Sequence, residues 1–179
     1  MCEHDQKGVT LWFTGLPSSG KSAIADRLYD ILKDRGYRAE RLDGDIVRQD
    51  LTRDLGFSRA DREENVRRVA FVARLLTRND VFVLCSFVSP YREMRDRARG
   101  AIGSFLEIYV KCPLEVCAAR DVKGMYKKAR AGEIREFTGV SDPYEEPLRP
   151  DLVVETDQEP LERSVGRVLV WMKELGFLE

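Results

Sequence analysis

Gly15-Leu16-Pro17-Ser18-Ser19-Gly20-Lys21-Ser22 follows the pattern G-x-x-x-x-G-K-[ST] and lies between the apolar run Val9–Thr14 and a helical pattern that opens at Lys21. A strand that turns through such a loop straight into a helix is the context in which this pattern binds the phosphates of a nucleoside triphosphate. Gly15 and Gly20 allow backbone conformations that a Cβ penalises, so successive N–H groups of the loop can converge on phosphate oxygens. The following helix turns its positive end to the same point. Lys21 is then placed to reach the β- and γ-phosphates as a mobile charge, and the Ser22 hydroxyl to ligate the magnesium ion that bridges them. A strand-turn-helix corner with an incidental Lys-Ser is the plainer reading, but four fixed positions in this context favour the nucleotide site. The chain is a candidate phosphoryl-transfer enzyme using ATP and Mg2+.

At 179 residues the chain fits one domain, and no separate second domain is expected. A formal net charge of -1 gives no overall pull toward nucleic acid or an anionic membrane, so attraction for polyanions must be local. Cys2, Cys85, Cys112 and Cys117 show neither C-x-x-C spacing nor the density of a disulfide scaffold, and buried reduced thiols are expected. The polar run Met1–Lys7 is too short for a signal peptide, and no apolar stretch approaches a membrane span. A cytoplasmic protein is expected, with neither nucleic acid nor membrane as partner.

Short β-branched and aromatic runs alternate with longer helical patterns, which predicts an α/β fold of three layers, a parallel sheet flanked by helices. The strands are expected at Val9–Thr14, Arg38–Leu42, Val81–Phe87, Leu106–Lys111 and Leu152–Glu155. A helix with Ile24, Leu28, Ile31 and Leu32 on its apolar face ends before Gly36, and a second runs from Arg59 to Thr77. Further helices are expected over Tyr91–Ile102 and Leu161–Leu175.

From Asp121 to Pro150 the apolar periodicity lapses, while Gly124, Gly132, Gly139, Pro143, Pro147 and Pro150 punctuate the chain. So long an irregular segment in a compact domain points to a functional lid, here with a short helix near Met125–Ala131. Arg120, Lys123, Lys127, Lys128, Arg130 and Arg135 would bring positive charge over bound phosphates on closure. A solvated loop without function is the alternative.

Leu42-Asp43-Gly44-Asp45-Ile46-Val47-Arg48 should emerge at the carboxyl edge of the sheet beside the phosphate loop. One carboxylate there can accept a proton from an acceptor hydroxyl or organise magnesium, and Arg48 can grip an anion. Asp43 and Asp45 are equally suited to forming a turn around Gly44. Further on, Ser58 is a plausible N-cap with Asp61 as its capping-box partner, and Phe57 reads as a hydrophobic staple or an exposed aromatic platform, the staple being favoured in isolation. Arg62 and Asn65 are left open by the spacing. In Ser86-Phe87-Val88-Ser89-Pro90-Tyr91-Arg92, Ser89 is either a substrate contact or a turn residue, and the only histidine, His4, is not placed to activate it.

Together these segments and the run Arg120-Asp121-Val122-Lys123-Gly124-Met125-Tyr126-Lys127-Lys128-Ala129-Arg130, followed by Phe137-Thr138-Gly139, resemble the adenylylsulfate kinases, from about Val9 to Thr156. The resemblance implies a single kinase domain over residues 1–179 with its lid at about 121–150. Its activity would be ATP-dependent phosphorylation of the 3′-hydroxyl of adenylyl sulfate. By the same resemblance Asp45, Arg48, Phe57, Arg62, Asn65, Val88, Ser89, Lys123 and Phe137 contact that acceptor, with Phe57 and Phe137 holding its adenine, which reverses the staple reading. Lys21, Asp43, Asp45 and Ser89 are the implied catalytic group, with Asp43 ahead of Asp45 as base or magnesium organiser. Ser22 and Asp43 form the implied metal site. Residues 15–22, Arg120 and Glu159, with the Thr156–Glu159 region, complete the ATP side. A homodimer and ATP sulfurylase are the implied protein partners. A serine matching Ser89 is sometimes regarded as a phosphorylated intermediate in the family, but direct in-line transfer fits a site built on positioning and charge.

The chain departs from the family pattern at Ala23, where threonine is usual, and at Pro17-Ser18, which replace Ser-Gly. Ile46, Asp50 and Val88 stand where asparagine, glycine and isoleucine are usual, and Asp50 adds negative charge near the acceptor. Neither the redox-regulatory extension of some plant relatives nor a fused sulfurylase domain is expected. A kinase for another small acceptor and a weakly catalytic regulatory partner in a sulfate-activation complex are the rival readings.

Overall fold

The computed structural model describes residues 5–179, so Cys2 and His4 lie outside the described residues. In chain order the elements are β1 (Val9–Thr14), α1 (Lys21–Asp34), β2 (Ala39–Asp43), α2 (Gly44–Val47), α3 (Arg59–Thr77) and β3 (Phe82–Ser86). They continue as α4 (Arg92–Ile102), β4 (Phe105–Lys111), α5 (Leu114–Arg120), α6 (Met125–Arg130), β5 (Leu152–Glu155) and α7 (Leu161–Glu174). The strands form one sheet in the order β2-β3-β1-β4-β5, every pairing parallel.

Central β1 is buried along its whole length, as a parallel strand covered on both faces must be. Its alternate side chains feed two cores. Val9, Leu11 and Phe13 pack with Phe82, Leu84 and the buried stripes of α1 and α7. Trp12 points the other way, stacking on Phe87 and Phe105 at 5.5 and 5.6 Å among residues of α3 and α4. Helices therefore cover both faces, giving the expected three layers. Because β1 connects to β2 on one side and β3 connects to β4 across β1, the carboxyl ends of these strands open a crevice at the switch point, where ligands bind in such sheets.

Two strands and α3 have the expected bounds; β2 and β3 differ by a residue at each end and β4 by one residue at its start. α2 and α5 were not expected. Four residues starting at a glycine show no periodicity, and Leu114-Glu115-Val116-Cys117-Ala118-Ala119-Arg120 is too short to display one. The segment 121–150 is also more ordered than its composition suggests. α6 lies in a third apolar cluster with Cys112, Cys117, Tyr126, Ala129 and Phe137. Farther on, Tyr91 Oη donates to Asp142, Arg92 N to Glu145, and Glu145 N to the Pro90 carbonyl, fastening 142–145 along the Pro90 turn. Cys85, Cys112 and Cys117 are free and buried, as expected of reduced thiols.

Candidate active site

The loop Gly15–Gly20 leaves β1 at the centre of the crevice. A Cβ on Gly15 would lie 2.4 Å from the Val110 carbonyl oxygen, so the approach to β4 excludes any side chain. Gly20 caps α1 at φ 101°, and its lack of a side-chain acceptor leaves the first amides of the helix directed to the crevice. Ser18, in a position where the related pattern carries glycine, adopts φ 61°. Lys21 is buried, and its Nζ donates to the carbonyls of Gly15 at 3.0 Å and Leu16 at 2.6 Å. Burial lowers its pKa to about 8, while Cys117, Asp43 and Asp45 pull in the opposite direction. A cation is thus held at the loop, ready for a small reorientation toward phosphate.

The next residue joins this loop to β2. Ser22 Oγ donates to Asp43 Oδ2 at 2.7 Å, and Asp43 Oδ1 accepts from the Asp45 amide at 3.0 Å as the N-cap of α2. Asp43 is therefore both a turn former and a buried carboxylate at the phosphate end, so the two sequence readings describe one residue. Arg41 stands 3.8 Å from Asp43 Oδ2 and pairs with Asp26 on α1. Among the described residues no group of three or more His, Cys, Asp or Glu forms a metal cage. Magnesium in nucleotide sites takes most of its ligands from phosphates and water, so the Ser22 hydroxyl with the Asp43 carboxylate is a fitting donor set.

Opposite the loop lie α2 and α3, which carry several of the residues expected to contact the acceptor. Asp45 is largely exposed and pairs with Lys123 of the lid. Arg48 donates to the carbonyls of Leu55 and Gly56, and its guanidinium lies 4.3 Å over the Phe57 ring. Phe57 remains 50% exposed, which rules out the staple and leaves a platform. Ser58 does cap α3, accepting from Asp61 N and donating to the Asp61 carboxylate. Arg62 is buried and spans the crevice, donating to the Phe57 carbonyl at 2.7 Å and to the carbonyl of Glu136, next to Phe137. One guanidinium thus sets the two aromatic segments relative to each other. Asn65 turns inward, where its Oδ1 accepts from Thr52.

Ser89, Val88, Phe137 and Glu159 each make contacts within the chain. The Ser89 hydroxyl is buried, accepts from Trp12 Nε1 at 3.1 Å and donates to Thr14 Oγ1, fastening the turn after β3 to β1. The Val88 carbonyl accepts from Thr14, and Phe137 packs edge-on against Tyr126 at 5.0 Å. Glu159 does not face the loop: it is engaged by Ser164, Arg163 and Arg167 at the start of α7, which draws its carboxylate away from the nucleotide side.

Thr156 takes that place instead. Its hydroxyl donates to the Ser19 carbonyl at 2.7 Å, its methyl is 3.4 Å from a Cβ built on Gly20, and Arg120 bonds its hydroxyl and carbonyl. Tyr126, on α6, donates to the Pro17 carbonyl at 2.9 Å and so ties the lid helix to the phosphate loop. Neither role is visible in a pattern, since each is made by a side chain meeting a backbone carbonyl more than a hundred residues away.

The chain is similar to known proteins over nearly its whole length. A family model described as "Adenylylsulphate kinase" matches residues 7–155. The adenylyl-sulfate kinase of Halothermothrix orenii is 59% identical over 174 residues, covering 97% of this chain and 94% of that protein. That of Rippkaea orientalis is 57% identical over 173 residues, covering 97% and 96%. The APS kinase of Mycobacterium tuberculosis, solved in complex with AMPPNP and APS, superposes with a TM-score of 0.91 at 42% identity, over 94% of this chain and 99% of that one.

Proposed function

The chain belongs to the adenylylsulphate kinase family, and from that premise we propose that it transfers the γ-phosphoryl group of ATP to the 3′-hydroxyl of adenylyl sulfate, giving 3′-phosphoadenylyl sulfate and ADP. The observation that carries this reading is the Arg62 bridge. A phosphate loop alone admits many acceptors, whereas an arginine joining two aromatic segments opposite that loop suits an adenine nucleotide bearing extra negative charge.

The geometry supports the following steps. The amides at the start of α1 and the Lys21 ammonium receive the ATP phosphates, and Arg120 with Thr156 borders the nucleotide on the β5 side. Ser22 and Asp43 would hold magnesium, which supplies charge neutralisation between the β- and γ-phosphates. The acceptor lies over α2 and α3, its base between the Phe57 and Phe137 segments and its phosphosulfate near Arg48, Arg62 and Lys123. The 3′-oxygen bonds to the γ-phosphorus as the bond from phosphorus to the β,γ-bridging oxygen breaks, and ADP departs. The hydroxyl proton passes to the Asp43 carboxylate, which its two hydrogen bonds hold at the phosphate end. Asp45, turned out to Lys123, belongs to the acceptor and lid. Closure of the segment around α6 excludes water, which would otherwise compete as acceptor.

ADP release measured with adenylyl sulfate, with adenosine monophosphate and with no acceptor tests the assignment. Turnover only with the sulfated nucleotide is expected; equal turnover with adenosine monophosphate would move the function to another nucleotide kinase. A homodimer that receives its acceptor from ATP sulfurylase in the cytoplasm completes the reading, supported by the family resemblance. Among the described residues no helix is long and apolar enough to cross a membrane.

A further inference from the structure

Four side-chain atoms among the described residues are buried without a hydrogen-bond partner, and one of them, Ser86 Oγ, stands at the carboxyl end of β3. Of the other three, Asp26 and Arg41 are joined in an ion pair and Thr138 lies beyond α6 in the lid segment. A hydroxyl left unpaired in the interior is unfavourable, and at the mouth of a ligand crevice it points to a partner that arrives with the ligand.

The pleat of β3 fixes where Ser86 faces. Phe82 and Leu84 pack on the α1 side of the sheet, whereas Val83, Cys85 and Phe87 pack on the α3 and α4 side. Ser86 continues the first series and so faces α1. In register beside it lie Asp43 of β2 and Phe13 of β1. Neighbouring parallel strands run roughly 5 Å apart, so the Ser86 and Asp43 side chains stand side by side. Asp43 already accepts the hydroxyl of Ser22 from the first turn of α1. A hydroxyl, a carboxylate and a second hydroxyl thus converge beneath the phosphate loop from α1, β2 and β3.

We propose that Ser86 is a positioning residue for magnesium, its hydroxyl bonding a water of the ion's hydration shell beside Asp43. This rests on the kinase reading above. Magnesium dehydrates reluctantly and keeps several waters in nucleotide sites, so the groups that orient those waters fix the ion as much as its direct ligands do. A serine hydroxyl can accept from a metal-bound water while donating to a neighbouring oxygen, which an alanine cannot. The role is distinct from that of Ser89, whose hydroxyl is occupied by Trp12 and Thr14.

The test separates the metal from the nucleotide and needs no turnover. ADP binding is measured by calorimetry with excess Mg2+ and with a chelator, for the wild type, Ser86→Ala and Ser86→Thr. In Ser86→Ala the affinity without metal should stay within about twofold, and the gain conferred by Mg2+ should fall by about tenfold, the order seen when outer-shell partners of a metal are lost. Ser86→Thr, which keeps the hydroxyl, should retain the gain. If the alanine variant does not fold, Ser86→Cys, a poor acceptor of similar volume, carries the same expectation. A full Mg2+ gain in the variant lacking the hydroxyl would overturn the proposal. So would an equal loss of affinity with and without metal, the signature of a packing defect. A wild type whose ADP affinity ignores Mg2+ would overturn this inference alone, whereas absence of ADP release with adenylyl sulfate would overturn the kinase reading on which it rests.

Discussion

Ser22 and Asp43 are joined by a 2.7 Å hydrogen bond that ties the first turn of α1 to the end of β2. The contact brings the hydroxyl that directly follows the loop lysine to a carboxylate buried at the phosphate end.

Asp43→Ala removes the carboxylate and the cap of α2 together, while Asp43→Asn keeps an acceptor for the cap. Both should lower kcat by about 10²- to 10⁴-fold with ATP KM changed by no more than about threefold, since the group acts on the transferring proton and phosphoryl. Only the alanine variant should also lose stability, by about 1 kcal/mol, through the lost cap. Steady-state kinetics and thermal unfolding read the two effects; undiminished kcat in either variant would remove Asp43 from the mechanism.

Lys21 makes nucleotide binding depend on pH. Burial holds its pKa to about 8, below the ordinary 10.5, so the free protein loses this charge as pH rises through 8. Bound phosphate favours the ammonium and raises the pKa. Below pH 8 the lysine is charged in both states and affinity is full. Above it, ADP binding takes up one proton and weakens by about tenfold per pH unit until the bound-state pKa is reached. Calorimetry at pH 9 in buffers of different ionisation enthalpy should show this uptake in the wild type and not in Lys21→Met.

The parallel sheet and most element positions were legible because they rest on periodicity, as in Val9–Thr14 and Arg59–Thr77, whereas the strand order, which depends on long-range pairing, was not. The place of the phosphate loop between β1 and α1, and of Asp43 at the end of β2 beside it, was legible because the spacing has a mechanism. Phe57 was not, since a ring before a helix cap suits a staple, and its exposure with the guanidinium of Arg48 stacked on it is a tertiary feature. The partners of Glu159 were not legible either: Ser164 and Arg167 lie one and two turns into α7 and engage its carboxylate. Thr156 was named only as the edge of a region and Tyr126 only as part of a motif, because side chains that bond distant backbone carbonyls leave no trace in local sequence.

Arg62 should govern the acceptor rather than ATP. Its fork serves the Phe57 and Glu136 carbonyls at once, which a lysine cannot reproduce. Arg62→Lys should raise KM for adenylyl sulfate by about tenfold or more, the worth of one or two charge-assisted hydrogen bonds, and leave KM for ATP within about twofold. Parallel increases in both constants would show a general loss of structure instead.

Ser18 holds a left-handed backbone at φ 61° in the middle of the phosphate loop. A residue with a Cβ is disfavoured there by roughly 1 kcal/mol, and glycine relieves it. Ser18→Gly should therefore raise the thermal midpoint by a few degrees, as about 1 kcal/mol does in a domain of this size. A lower midpoint would mean that the serine side chain contributes more than its backbone costs.

The central claim concerns which oxygen receives the phosphoryl group. Protein incubated with Mg2+, ATP and adenylyl sulfate should yield one new nucleotide per ADP, and phosphorus NMR of that product should show a phosphomonoester on the ribose 3′-oxygen with the phosphosulfate intact. ADP released without this product, or a phosphate carried on any other oxygen, would contradict the account.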